Sequence, residues 1–314
     1  MASSSRGTSR YGVIDVGSNT VHLLVADSDG RSVDAVEDES TRLALGEEVA
    51  LLGQLDPGKI KLAAETVRAY VMRAHQLRAS TVCLVGTQAV RAASNGKDLV
   101  RAVEKATDLQ LRVIEPGVEA RLGFMGTTLD VPDKRPRLIV DIGGGSTQLL
   151  LADARGVPHF DQSLPIGSVA LPARFFRSDP PRKQERDRMQ LAIQQAVGLV
   201  NQLNRPGGVV PEYGIVVGGV GRRLRRAGRL QSGEPLVRLW IERLADVCLS
   251  VSSEVLEVLA AARPEDVNMV RAGGSILREV MSACHLQYCL VSSYGIREGT
   301  ILALAREESF FRGN

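Results

Sequence analysis

Two aspartates, Asp15 and Asp141, each stand near the end of an apolar run that turns on glycine. The segments VIDVGSNTVHLLVAD (13–27) and IVDIGGGSTQLLLAD (139–153) share one order: apolar run, Asp, apolar residue, Gly-rich turn with hydroxyls, apolar run, Ala-Asp. A carboxylate at a strand end can hold a divalent cation or its water, and magnesium characteristically takes one or two carboxylates while substrate phosphates and water fill its other positions. Backbone N–H groups and hydroxyls of a glycine turn cradle phosphate oxygens. The residues of the two turns, Gly17, Ser18, Asn19 and Thr20 in the first and Gly143, Gly144, Gly145, Ser146 and Thr147 in the second, are therefore candidates for phosphate binding. A strand-end aspartate can also simply cap the turn that follows it; its repetition in both segments points to function. Facing each other across a cleft, two such loops would grip a phosphate chain from both sides.

The elements that must position these residues follow from local pattern. Residues 11–16, 21–26 and 32–39 read as three strands joined by short turns, a meander and not a Rossmann start, since no helix follows the first glycine turn. A helix opened by Pro57 spans about 57–77, with Ile60, Ala63, Ala64, Val67, Val71 and Met72 on one face. A strand at 81–85, helices at 88–93 and 97–105, a strand at 111–114 and a helix at 118–128 complete the first half. The Pro-rich, charged stretch 131–137 reads as the domain boundary. Strands at 137–142, 148–152 and 156–164 then repeat the opening. Helices follow at 167–176, 182–203, 221–227, 240–259, 267–283 and 295–308, with buried strands at 213–217 and 286–291. This predicts a tail over 1–10, a first domain over 11–131 and a second over 132–314.

Composition narrows the function class. Aromatics make up 4% of the chain, too few for base-stacking platforms to dominate a site, and the net charge of +3 does not imply nucleic acid. No apolar run is long enough to span a bilayer, and the N-terminus lacks the apolar core of a signal peptide, so a cytoplasmic location is expected. Cys83, Cys248, Cys284 and Cys289 form no CxxC pair and read as reduced core residues. The run Arg222, Arg223, Arg225, Arg226 and Arg229 is either a polyanion-binding patch, with Arg222 and Arg223 the candidates, or a solvated helix face.

The paired motifs IDVGSNT (14–20) and DIGGGST (141–147) resemble the phosphate-binding loops of the exopolyphosphatase/guanosine pentaphosphate phosphohydrolase family. The segments GTQAVRAASN (86–95), IEPGVEARLGFMG (114–126), LPIGSVALPARF (164–175), VVGGVGRRL (216–224), MVRAGGSILREVM (269–281) and YGIREGTIL (294–302) are similar to the family's in kind and order. The resemblance is to the short, two-domain members. It implies an α/β fold of two ribonuclease-H-like domains, of the actin, sugar-kinase and heat-shock ATPase superfamily, with an interdomain cleft. In such members the last helix, from about 297, often joins the first domain. The resemblance places Arg91 in the active cleft, where a planar guanidinium suits bidentate phosphate contact. It makes Glu119 the base that activates the attacking water, and Asp15 and Asp141 ligands of magnesium or another divalent cation. Short members are often homodimers; no apolar stripe here marks an interface.

Three departures from the family pattern stand out. Gln148 replaces the glutamate that follows Ser-Thr, Val118 replaces one of two acids before Ala-Arg-Leu, and Val220 replaces a threonine after Gly-Gly. The leading expectation is magnesium-dependent release of terminal phosphate from inorganic polyphosphate. The alternatives are 5′-phosphate removal from guanosine pentaphosphate and a catalytically weak polyphosphate- or nucleotide-binding regulator. An ATP-using kinase of the same superfamily is a third, for which a water-activating glutamate fits less well.

Overall fold

The structure, a computed structural model, describes residues 7–131, 134–202 and 208–308. The chain divides into two compact units, residues 1–129 with 294–314, and residues 130–293. The middle of the expected boundary stretch, residues 132 and 133, lies outside the described residues.

The first unit opens with β1 (Ser9–Val16), β2 (Thr20–Ser28) and β3 (Asp34–Arg42), an antiparallel meander. After α1 (Leu45–Leu52) and α2 (Pro57–Gln76) come β4 (Thr81–Gly86), α3 (Gln88–Ala92), α4 (Gly96–Thr107), β5 (Leu111–Val113) and α5 (Pro116–Thr127). The strand order is β3-β2-β1-β4-β5, with β4 parallel to both β1 and β5. Alternation along the strands divides the core. Ile14, Val16, Leu23, Val25 and Leu84 face Ala63, Val67 and Val71 of α2 and Leu99 and Val103 of α4. Val13, Leu24, Ala26, Cys83 and Val85 pack with Leu122 of α5 and with Ile301 and Ala303 from the chain's last helix. In α2, Pro57 occupies the first position and the Asp56 carboxylate accepts from the Gly58 N–H at 2.7 Å, a side-chain cap. The first strand begins earlier than expected. Arg10 lies opposite Asp27 and grips its carboxylate through two bonds, at 2.7 and 2.8 Å, so residues 9 and 10 belong to the sheet rather than to a tail. Residues 1–6 lie outside the described set.

In the second unit, β6 (Arg137–Ile142), β7 (Thr147–Ala152) and β8 (Pro158–Leu164) repeat the meander. The chain continues through α6 (Ala170–Phe175), α7 (Lys183–Gln202), β9 (Tyr213–Val217), α8 (Gly218–Ala227), β10 (Leu236–Val237), α9 (Arg238–Ser250), α10 (Ser253–Leu259), α11 (Val267–Ala283) and β11 (Tyr288–Val291). The order β10-β11-β9-β6-β7-β8 reproduces the first sheet with one short strand added at an edge. As β4 and β5 do beside β1, β9 runs parallel to β6, and β11 parallel to β9. The expected helix over 240–259 is two helices, because Arg271 breaks it. Its guanidinium, 1% exposed, takes the carbonyls of Cys248 at 2.9 Å and Val251 at 2.7 Å, which end α9, and pairs with Asp179 at 2.8 Å. The last expected residue of the 182–203 helix lies outside the described residues.

The final helix, α12 (Ile296–Ala305), belongs to the first unit and lies against α5. The two backbones approach so closely that a Cβ on Gly299 would collide with the Leu122 carbonyl, and one on Gly126 with the Gly295 carbonyl. Because the obstacle is backbone and not a movable side chain, Gly299→Ala should destabilise the protein by about 1–3 kcal/mol, the usual range for overpacking. Thermal denaturation checks this; an unchanged Tm would show that the helices slide apart without loss.

All four cysteines are buried free thiols, and burial pushes Cys83 and Cys248 up to about 11, well away from the thiolate that oxidation or metal binding needs. No helix among the described residues is long and apolar enough to cross a membrane.

Candidate functional site

The two glycine turns have the same internal geometry. The N–H of Gly17 donates to the Thr20 carbonyl at 3.0 Å, and the N–H of Gly143 donates to the Ser146 carbonyl at 2.9 Å. In both, the hydroxyl three residues past the glycine is held by a nitrogen two residues further on. Thr20 Oγ1 lies 2.6 Å from His22 Nε2, and Gln148 Nε2 donates to Ser146 Oγ at 2.7 Å.

Each turn is also backed by a second segment that takes its carbonyls. Behind the first, the N–H of Gly46 donates to Ser18 O at 2.7 Å, and those of Leu43 and Ala44 donate to Asn19 O at 3.0 and 2.9 Å. Ser18 Oγ is anchored on Gln88 at 3.0 Å. Behind the second, Ser168 N–H donates to Gly143 O at 2.9 Å, and the N–H groups of Val169 and Ala170 donate to Gly144 O at 2.8 and 2.9 Å. Thr147 Oγ1 closes on Ile166 O at 2.7 Å. Gly167 sits so tightly on the Gly144–Gly145 peptide that a Cβ there would overlap it. In a trans peptide C=O and N–H point in opposite directions. Carbonyls drawn toward 43–46 and 166–170 therefore turn the following N–H groups away from those segments, the orientation an anion cradle requires.

The carboxylates stand at the base of the turns. Asp15 faces His22 across the hairpin and Val85 on the parallel side; Asp141 faces Gln148 and Val217. Burial raises the Asp141 carboxyl to about 6, against the pull of the nearby Arg222 charge. The chain leaves β9 through Gly218, at φ +83°, where a Cβ would come 3.2 Å from Asp141 Oδ1. A left-handed turn beside the carboxylate thus keeps the space next to it open. Among the described residues no three of His, Cys, Asp and Glu gather into a cluster. Single carboxylates beside glycine turns would suit a cation completed by water and phosphate oxygens.

Arg91 on α3 and Glu119 in the first turn of α5 are brought together. Both terminal nitrogens of Arg91 reach Glu119 Oε2, at 3.2 and 3.3 Å, and Arg91 Nη1 also donates to the Ile114 carbonyl at 2.6 Å. Glu119 is 8% exposed, so the carboxylate is nearly withdrawn from water and its partner's orientation is fixed. A planar cation beside a sheltered carboxylate can hold a phosphoryl group while the acid orients a nucleophile.

A model of the Ppx/GppA phosphatase family matches residues 24–308. The chain belongs to that family. It is 27% identical over 312 residues to Exopolyphosphatase 1 of Mycobacterium leprae (strain TN), with 93% of this chain and 88% of that protein covered. Two solved structures share its fold. An exopolyphosphatase from Cytophaga hutchinsonii aligns with a TM-score of 0.84 at 24% identity, covering 95% of this chain and 98% of that one. The Aquifex aeolicus member of the Ppx/GppA family aligns at 0.80 and 22% identity, covering 96% and 99%. The fold is the two-domain, actin-like one, and the family is one of hydrolases.

Beyond the Ppx/GppA motifs, the structure shows what the basic run on α8 does. Arg91 lies six residues past Val85, the strand partner of Asp15, and Arg223 lies six past Val217, the partner of Asp141. Arg223 thus stands where Arg91 does, but donates at 2.7 Å to Asp266, which is 2% exposed and also bound by Arg263 at 2.9 Å. Arg222 lies near Asp141. Arg223 thus serves the interior of its unit, while Arg222 is half-buried and reaches the Ser293 carbonyl at 3.5 Å.

Sequence reasoning assigned no role to Arg297. Burial opposes its charge, yet Glu298, Asp38 and Asp15 outweigh that and hold the guanidinium more firmly protonated. Its terminal nitrogens pair with Asp38 and, at 3.6 Å, with Glu298, while Glu298 also accepts from the Gly295 N–H at 2.7 Å. The signal in the sequence was an Arg-Glu pair inside the otherwise apolar stretch YGIREGTILALA.

Gln148, the departure from the Ppx/GppA pattern, is 2% exposed, directly across from Asp141. A glutamate there would add a second buried charge that only a cation could stabilise. Gln148→Glu should therefore raise apparent magnesium affinity, increasing activity at limiting magnesium more than at saturation. An identical magnesium titration would show that position 148 does not address the metal.

Proposed function

We propose that the chain is an exopolyphosphatase that removes terminal orthophosphate from inorganic polyphosphate with the help of magnesium. The observation that carries this reading is the duplicated cradle: two turns with one geometry, each opened by a strand-end aspartate and each backed by a segment that turns its N–H groups outward. A cradle repeated in each unit suits a ligand made of repeated phosphates. Asp15 in the first unit and Asp141 in the second are the carboxylates that would hold magnesium, which would neutralise phosphate charge. Glu119 orients and deprotonates the attacking water, and Arg91 holds the phosphoryl oxygens. Thr20 and Ser146, each fixed by its neighbouring nitrogen, present their hydroxyls to the phosphate. The relative from Mycobacterium leprae bears the name of this activity.

A phosphate-release screen over long polyphosphate, guanosine pentaphosphate and ATP, with and without magnesium, tests it. Release from long polyphosphate that needs magnesium is the expected result. Release from guanosine pentaphosphate alone would overturn the substrate, and transfer of phosphate from ATP to an acceptor would overturn the reaction. One observation favours a second reading, a catalytically weak polyphosphate-binding regulator: the buried Gln148 puts a neutral amide beside Asp141. Tight polyphosphate binding without phosphate release would establish it.

A further inference from the structure

The hydroxyls around the two glycine turns are not equivalent as donors. Three of them spend their proton inside the protein. Ser18 Oγ donates to Gln88 Oε1 at 3.0 Å, Thr147 Oγ1 to the Ile166 carbonyl at 2.7 Å, and Ser168 Oγ to the Gly143 carbonyl at 3.1 Å. Ser146 is different. Its Oγ accepts from Gln148 Nε2 at 2.7 Å, and no oxygen among the described residues accepts the proton that Ser146 itself carries. Both side chains are withdrawn from water, Ser146 at 4% exposed and Gln148 at 2%. A hydroxyl has one proton and two lone pairs. With the amide N–H on a lone pair, the proton is left for a partner outside the protein. A buried donor left unmet is costly, so its retention points to an acceptor that arrives with a ligand.

The backbone beside Ser146 is in the same state. The N–H groups of Gly144 and Gly145 have no acceptor among the described residues, and they point away from 168–170 because the Gly143 and Gly144 carbonyls are bound there. Two amides and a hydroxyl in consecutive residues suit a group that only accepts, such as a phosphate oxygen. The side chain at 148 decides which way the Ser146 bond runs. An amide nitrogen can only donate, whereas a carboxylate could only accept and would draw the Ser146 proton away from the ligand. Asp141, directly across from Gln148, brings a negative charge, and the Arg222 guanidinium near it offsets that charge. The first turn is not committed in this way, because His22 Nε2 donates to Thr20 Oγ1 or accepts from it according to its tautomer.

We propose that Gln148 makes the second turn a phosphate site that needs no metal: by donating to Ser146 Oγ, it leaves the Ser146 proton, together with the Gly144 and Gly145 N–H groups, to a phosphate oxygen. This rests on the reading of the turns as phosphate cradles given above. It goes further by making Gln148 the positioning residue that sets the polarity of the second one. Substrate affinity then depends on magnesium far less than turnover does.

The test is a double-mutant cycle between positions 146 and 148 in the full chain, read as binding of inorganic tripolyphosphate by calorimetry at pH 8 with a metal chelator present. The native chain should bind under these conditions. Ser146→Ala should weaken binding about ten-fold or more, the worth of a hydrogen bond to a charged group. Gln148→Glu should also weaken it, but adding Ser146→Ala to Gln148→Glu should then cost less than about two-fold, because the hydroxyl proton already goes to the carboxylate. Repulsion from the new carboxylate is present with and without the Ser146 hydroxyl, so it cancels in the cycle. Gln148→Met, neutral and similar in length, serves if a second buried carboxylate prevents folding. With the amide gone the Ser146 hydroxyl is no longer held, and binding should fall about two- to ten-fold, the worth of a neutral hydrogen bond. An equal cost of Ser146→Ala in both backgrounds, or unchanged binding in Gln148→Met, would overturn the role of Gln148 and leave the phosphate reading of the turn in place. Native binding that appears only when magnesium replaces the chelator would overturn the metal independence. Absence of binding with and without magnesium would overturn the phosphate reading together with this proposal.

Discussion

Glu119→Gln should reduce polyphosphate hydrolysis by about 10²–10⁴-fold, the range that general-base assistance contributes. The amide keeps the shape of the side chain, and its oxygen can still accept from Arg91, which now binds the carboxylate through both terminal nitrogens at 3.2 and 3.3 Å. What it loses is the ability to take a proton from water. Polyphosphate affinity should hold or improve slightly, because a negative charge leaves the neighbourhood of a polyanion. Arg91→Ala should behave differently: it removes a cation that meets the phosphate in ground and transition states alike, so binding weakens together with rate. It also leaves Glu119, 8% exposed, without that guanidinium. Steady-state kinetics with a separate binding measurement distinguish the two. Near-normal turnover in Glu119→Gln would make Glu119 an acid that only favours the N-terminus of α5, and Glu115 would be the next base to test.

Asp141→Asn should abolish most activity and stabilise the fold. The carboxyl is raised by burial from 3.8 to about 6, so the folded chain binds its proton more tightly than the unfolded chain does. For a group shifted in that direction, the stabilising contribution is complete below about pH 4, is lost as pH rises through about 6, and is absent at pH 7–8. The asparagine has no proton to lose, so it should exceed the native chain in stability at pH 8 by about 1–3 kcal/mol and lose that advantage toward pH 4. Activity should follow the opposite course, since cation binding requires the carboxylate: the native rate should rise with pH through about 6. Added magnesium should raise the Tm of the native chain more than that of the variant. A variant less stable than the native chain at pH 8 would show that Asp141 is held by contacts which outweigh its burial. On the proposed function, activity and stability would pull apart at this residue, as is common where a site needs a buried charge.

Much of this protein is legible before folding is considered. The alternation in 13–27 and 139–153 determines two hairpins, and the repetition determines that there are two of them; both meanders form, with their turns where glycine and hydroxyls stand. Pro57 and Asp56 mark the start of α2 because a cap is a local event, made between residues two apart. What resisted reading depends on partners distant in sequence. Helix α1 starts from Ala44 in a left-handed conformation with no side-chain cap, and its place is determined by the first glycine turn, whose Asn19 carbonyl takes the Leu43 and Ala44 N–H groups and whose Ser18 carbonyl takes that of Gly46. The break between α9 and α10 has no glycine or proline; it exists because Arg271 reaches across to two carbonyls.

The same division runs through the candidate site. The types of residue required to hold phosphate and a cation are visible in the sequence, since aspartate, glycine and hydroxyls at fixed spacing have few other uses in common. Which of them meet is a tertiary matter. Arg91 and Glu119 are 28 residues apart, and only the packing of α3 against the loop before α5 closes the gap. Arg223 reads as open charge in a sequence that counts cations; its carboxylate partner, Asp266, lies 43 residues away. Charge is a property of composition, but whether a charge faces solvent or an internal partner is decided by the fold, because a buried ion is stable only with its counter-ion beside it.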